Sequence, residues 1–170
     1  SRAAYKLKYF LQELKHFELN NINALDIGSS TGGFTQVLLE NEVSSVTCVD
    51  VGSNQLHERI KYHPKITFFE NTDIRNFQSK EIFEIVTCDV SFISILNILN
   101  DINRLAPKDI IILFKPQFEV GTNVKRDKKG VVKDKNAILR ARQKFVDSTL
   151  ALNWNLKYSS LSKLQGKDGN

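Results

Sequence analysis

Three residues able to move a proton stand at positions of this 170-residue chain where they are costly to hold idle. Lys115 follows the most hydrophobic run, Asp109 to Phe114, an expensive place for an ammonium unless it is used or paired. Asp89 closes a second apolar run, Ile82 to Asp89, and is a natural neighbour for it. Lys6 joins them if the amphipathic opening segment packs over the same edge. A second cation beside a lysine lowers its pKa from ~10.4 toward neutrality, while a carboxylate restrains the shift. A lysine so tuned can act as a general base. A structural Asp89–Lys115 ion pair accounts for the same residues equally well.

The second constellation is a binding one. In Asp26-Ile27-Gly28-Ser29-Ser30-Thr31-Gly32-Gly33-Phe34-Thr35 a short apolar run enters a turn with three glycines, and a helical pattern leaves it. Glycines let the backbone turn sharply and approach a ligand where a Cβ would collide. The spacing is G-x-x-x-G-G behind an acid, not the G-x-G-x-x-G of a dinucleotide site. It suits a loop wrapping a ligand without phosphate, such as S-adenosylmethionine. A plain strand-to-helix turn is the bland alternative. Asp50 ends the next β-branched run, 22 residues after Gly28, where a carboxylate can accept hydrogen bonds from ribose hydroxyls.

These residues need elements to position them. Residues 1–17 are expected to form a helix capped by Ser1, with Tyr5, Leu7, Phe10, Leu11, Leu14 and Phe17 as its apolar stripe. Strands are expected over 24–27, 45–50, 66–70, 82–89, 109–114 and 156–164, and helices over 33–40, 54–62, 93–105 and 136–152. The run at 109–114 has the composition of a central strand covered on both faces. Residues 117–135 lack an apolar period and form a long loop, as lids and binding loops do. Residues 166–170 form a turn. Alternation of strand and helix implies an α/β fold, a doubly wound, mostly parallel sheet with helices on both faces. Ligands in such sheets sit beyond the carboxyl ends of the strands, and Asp26, Asp50, Asp73, Asp89 and Lys115 all fall there.

Composition narrows the function classes. With 41% hydrophobic and 25% charged residues the chain suits one globular domain. No apolar run is long enough for a bilayer and no leader opens the chain, so a cytoplasmic protein is expected. The chain does not begin with Met and is expected to be trimmed. Cys48 and Cys88 lie in apolar runs and suit buried thiols, and the three histidines share no metal-ligand spacing with them. No metal is expected. Net charge is +5, yet residues 122–144 carry nine cations against two aspartates. Concentrating more than the whole excess in one segment suits a polyanion.

Several blocks carry a resemblance: Ser1-Arg2-Ala3-Ala4-Tyr5-Lys6-Leu7, Asp26 to Thr35, Val49-Asp50-Val51-Gly52, Cys88-Asp89-Val90-Ser91-Phe92-Ile93, Phe114-Lys115-Pro116-Gln117-Phe118-Glu119 and Gly130-Val131-Val132. Together they resemble the TlyA (hemolysin A) branch of the FtsJ-like ribosomal RNA 2′-O-methyltransferases, over nearly the whole chain. The resemblance implies a Rossmann-like S-adenosyl-L-methionine-dependent methyltransferase, with ribose hydroxyls of ribosomal RNA, cytidine first among them, as acceptor. It implies that Lys6, Asp89 and Lys115 are catalytic, three members of a Lys-Asp-Lys-Glu set. The glutamate is expected after Gly166 to Asn170, where the chain stops, so the last strand and the family's preceding RNA-binding domain are expected to be missing. The implied donor site comprises Asp26, Gly28, Ser29, Ser30, Gly32, Gly33, Phe34, Asp50, Val51, Asp73, Ile74 and Asp89. Relatives often carry Asn where Asp73 stands. Arg2, Lys6, Lys125, Arg126, Lys128, Lys129 and Lys133 are expected to meet RNA or ribosomal subunits.

Other classes fit less well. An amino-group enzyme wants an Asp/Asn-Pro-Pro-aromatic block, and Asp89-Val90-Ser91-Phe92 has no proline. A cytosine-carbon enzyme wants a thiolate, which an apolar strand disfavours. A pore-forming hemolysin wants a membrane-active segment. A non-catalytic RNA-binding module is the remaining competitor.

Overall fold

The computed structural model describes residues 1–167 and 169–170. Five parallel strands form one sheet: β1 (Asn23–Ile27), β2 (Ser45–Val49), β3 (Ile66–Phe69), β4 (Ile85–Cys88) and β5 (Asp109–Ile112), in the order β3-β2-β1-β4-β5. The helices are α1 (Arg2–Glu13), α2 (Gly33–Glu40), α3 (Glu58–Lys61), α4 (Leu99–Arg104), α5 (Pro116–Glu119) and α6 (Lys135–Ala151). Successive side chains of a strand point to opposite faces. Ala24, Val46, Cys48 and Ile85 therefore pack with Leu7, Val37 and Leu38 on the side of α1 and α2. Leu25, Ile27, Val49, Val86 and Cys88 pack with Phe83, Ile98 and Ile102 on the other. Two apolar layers around a parallel sheet are the doubly wound α/β architecture expected, and strand order reverses beside β1, between β2 and β4. Among the described residues no helix is long and apolar enough to cross a membrane.

Several boundaries differ from the periodicity. The opening helix begins at the Ser1 cap, whose Oγ accepts from the Ala4 amide at 3.2 Å, but ends at Glu13 rather than Phe17 because Leu14 turns extended. Residues 93–105 split into a 3-10 turn (Ile95–Asn97) and α4. The loop of 117–135 holds part of α5 and an isolated antiparallel bridge, Arg126 to Val132. The sixth strand is a correction: residues 156–164 pair with no strand. They lie against α1 instead, where Glu13 accepts from Tyr158 Oη at 3.0 Å and Ser160 Oγ at 2.7 Å and pairs with Lys163 at 3.5 Å. The Phe10 and Tyr158 rings meet at a tilt, their centroids 5.7 Å apart. In consequence β5 is an edge strand, half-buried throughout, not the doubly covered central strand its composition suggested. The turn read over 166–170 includes Asp168, outside the described residues. Its remaining part closes with Gly166 donating to the Asn170 carbonyl at 2.7 Å.

Candidate active site

The glycine turn is built by its neighbours. Gly28 lies at φ +75°, and a Cβ there would collide with the Asp89 carbonyl, so the loops leaving β1 and β4 can touch only over a glycine. Gly32, at φ +101°, caps α2 in the left-handed region. Gly33 serves packing: a Cβ would strike Ser1 Oγ and Ala4 N, so its absence lets the start of α1 lie directly on α2. This approach carries Lys6 to the sheet edge. The Phe34 side chain, 4% exposed, belongs to the core on that side.

Asp26 lies beneath the turn and has no solvent exposure. Its two oxygens accept from Thr35 Oγ1 at 2.7 Å and Thr87 Oγ1 at 3.0 Å, tying β1 to α2 and β4. Burial pushes its carboxyl up to about 7, the two hydroxyl bonds opposing the shift. It supports the loop from inside. Asp50 closes the other side: Oδ2 accepts from the Ser30 amide and Oδ1 from the Gly52 amide, both at 2.7 Å. Each oxygen keeps a lone pair for a further donor. A narrow crevice opens here, walled by Ser29, Ser30, Asp50, Gln55, Leu56 and Phe69. The carboxylate stands beside apolar and aromatic side chains, the group types that a nucleoside's hydroxyls and base would meet, but the crevice as it stands has room for little more than a water. Val51 is 69% exposed beside it. Asp73 accepts from the Arg75 guanidinium, the shortest bond 2.7 Å, and this partner holds its carboxyl below the usual range. The Ile74 side chain is in the opposite core layer. Asp73 and Ile74 are thus engaged elsewhere through their side chains. A broader open concavity on α6, walled by Arg140, Lys144 and Asp147, contains none of these residues.

The three proton-moving residues do converge. Lys115 Nζ lies 2.6 Å from Asp89 Oδ1. That oxygen nevertheless lacks a well-directed donor, whereas the ammonium donates to Ser91 Oγ at 2.9 Å, so the Asp89 contact is one of charge more than of hydrogen bonding. Lys6 feels both partners: burial lowers its pKa first, Lys115 and Arg2 lower it further, and Asp89 opposes them. The two thiols are buried, and burial raises both, Cys48 to about 12. Among the described residues no group of three or more His, Cys, Asp or Glu is placed to hold a metal.

The basic residues divide. Lys125, Lys128, Lys129 and Lys133 are exposed, the last 4.0 Å from Asp127. Arg126 is half-buried: its guanidinium donates to the carbonyls of Gln117, Gly121 and Val124 at 2.8, 3.1 and 2.6 Å, pinning the loop. Arg2 donates to the Gln165 carbonyl at 3.2 Å. Two further residues escaped the sequence reading. Phe92 is 91% exposed at φ +65°, a strained conformation for a bulky side chain, and rests on Phe118 at 5.2 Å. Glu119 accepts from Ser94 Oγ at 2.6 Å and the Ile95 amide at 2.8 Å. The available signal was position, within the same short segments as Asp89 and Lys115.

Comparison with known proteins follows this geometry. A family model described as FtsJ-like methyltransferase matches residues 1–170. A Campylobacter jejuni protein named 23S rRNA (cytidine-2′-O)-methyltransferase TlyA is 57% identical over the whole chain, which covers 67% of it. A Mycobacterium tuberculosis 16S/23S rRNA (cytidine-2′-O)-methyltransferase TlyA is 36% identical, again over the whole chain, covering 65% of that protein. The chain thus spans about two thirds of the length of these relatives. The crystal structure of a Lactococcus lactis protein with a provisional hemolysin designation superposes with a TM-score of 0.92 at 34% identity, covering all of this chain and 83% of that one.

Proposed function

The chain belongs to the FtsJ-like methyltransferase family, and from that premise we propose that the protein carrying it methylates the ribose 2′-hydroxyl of cytidine in ribosomal RNA, using S-adenosyl-L-methionine. The observation that carries the reading is the convergence of Lys6, Asp89 and Lys115 at the strand ends beside the Asp50 crevice. When bound, S-adenosylmethionine supplies a methyl group already activated on a sulfonium. Asp50 and the turn from Gly28 to Gly33 hold its nucleoside. Once its own ammonium proton has passed to solvent, the neutral Lys115 amine takes the proton from the 2′-hydroxyl, and Asp89 and Lys6 orient that hydroxyl. Alignment lowers the barrier by several kcal/mol, and a positioned base adds roughly 10² to 10⁴ in rate. Phe92 offers an aromatic face to the target nucleotide, since base stacking on such a face tolerates any sequence. The exposed lysines of 125–133 meet phosphates. This activity places the protein in the cytoplasm with the ribosomes it modifies.

Transfer of tritiated methyl from the donor to separated ribosomal subunits tests the proposal, with the whole protein and a Lys115→Ala variant side by side. The wild type is expected to label RNA and the variant to lose nearly all turnover at unchanged donor affinity. RNA binding without transfer would favour a non-catalytic module on the same fold.

A further inference from the structure

Asp89 and Lys115 sit on separate loops, and the structure contains a bond set that locks those loops together without touching either residue. Glu119 at the end of α5 reaches across to accept from Ser94 Oγ at 2.6 Å and from the Ile95 amide at 2.8 Å. Ser94 in turn accepts from the Leu96 amide at 3.2 Å, capping the 3-10 turn. Between Asp89 and Ser94 the chain makes one strained step, Phe92 at φ +65°, 91% exposed. A left-handed conformation is costly for a bulky residue and persists only where the surroundings over-determine it. Solvent does not hold an exposed phenyl ring in place. The restraints are local: Phe118, one residue before Glu119, against the ring at 5.2 Å, and the Glu119 carboxylate against the segment that follows. A charged acceptor binding a hydroxyl and an amide is among the stronger hydrogen-bond arrangements.

We infer that Glu119 is a positioning residue that holds Phe92 in its outward, left-handed conformation at the rim of the Asp89–Lys115 pair. The inference rests on the proposed reaction, in which Phe92 presents a face to the target nucleotide. Glu119 acts through Phe92 and touches no reacting atom. Its carboxylate functions by shape and acceptor geometry, so glutamine, which retains one carbonyl acceptor for the Ile95 amide, substitutes in part and alanine does not.

Two measurements on the whole protein test this. Hydrogen exchange of the 90–96 segment reads the clamp without any substrate, and Glu119→Ala should accelerate it. Steady-state methyl transfer to ribosomal RNA reads the consequence. Glu119→Ala should lower kcat/KM for RNA by roughly 10-fold to 100-fold, with donor KM unchanged, and Glu119→Gln should recover most of it. In a Phe92→Ala background the same Glu119→Ala change should cost less than about twofold more, because the residue it positions is gone. Unchanged exchange over 90–96 overturns the clamp whatever the protein modifies. Accelerated exchange with fully additive losses overturns action through Phe92. Both outcomes are distinct from a wild-type protein that transfers no methyl to ribosomal RNA, which overturns the functional reading and with it the role given to Phe92.

Discussion

At Asp26 a carboxylate is buried under the glycine turn and accepts from two threonine hydroxyls. Burial raises its folded pKa to about 7 from 3.8, so the folded state binds the proton more tightly than the unfolded chain. The resulting stability is fully present below about pH 4 and is lost as pH rises through about 7, up to about 4 kcal/mol in all. Denaturant unfolding of wild type and Asp26→Asn should therefore differ in this sense: wild type loses stability relative to the variant between those pH values, and a constant difference would remove Asp26 as the titrating group. Asp50 makes a different prediction. Its carboxylate faces the crevice and carries charge-assisted bonds, so Asp50→Ala should weaken donor binding by roughly 1.5 to 3 kcal/mol. Unchanged affinity by calorimetric titration would take Asp50 out of the site. Asp26 is fully buried within β1 on two threonine hydroxyls, whereas Asp50 follows β2 and binds two backbone amides, differences that position near a strand end does not reveal.

Among the elements, the loop between α5 and α6 carries the most concentrated charge, yet its cations do two jobs. Lys125, Lys128, Lys129 and Lys133 face solvent, and neutralising them should weaken RNA binding and flatten its dependence on salt, since fewer counterions are released. Arg126→Ala should instead loosen the loop by freeing three carbonyls, with a smaller change in slope. Equal slopes for wild type and the lysine variant would mean that the lysines are only solvated. The strands β1, β2 and β4 were legible because continuous burial on two faces leaves short, mainly apolar and β-branched runs, interrupted only by the buried Asp26, Thr47 and Thr87 and by the polar residues that open β1 and β2. Residues 156–164 were not. Their composition matched a strand, but strand formation depends on a partner, and here their polar groups are taken by Glu13 on α1. Likewise the strand ends announced Asp89 and Lys115, whereas the outward turn of Phe92 depends on long-range bonds that no local pattern encodes.

Across the whole molecule the sheet edge at the strand reversal gathers the Asp50 crevice, the Lys6, Asp89 and Lys115 cluster and the exposed Phe92. Residues 122–144, with nine cations and two aspartates in a chain of net charge +5, concentrate the positive charge. In the proposed reaction, long-range attraction of RNA and short-range proton removal fall to separate parts of one fold. In the proposed reaction the acceptor is a ribose 2′-hydroxyl deprotonated by Lys115, and the product has a distinctive chemistry. Alkali cleaves RNA through the free 2′-hydroxyl, and a methyl group there removes the nucleophile. The decisive measurement is alkaline hydrolysis of ribosomal RNA labelled by the whole protein. Label recovered in uncleaved dinucleotides, and lost with Lys115→Ala and Lys115→Arg alike because a guanidinium stays protonated, is the predicted result. Label confined to mononucleotides would mean a methylated base and would contradict the account.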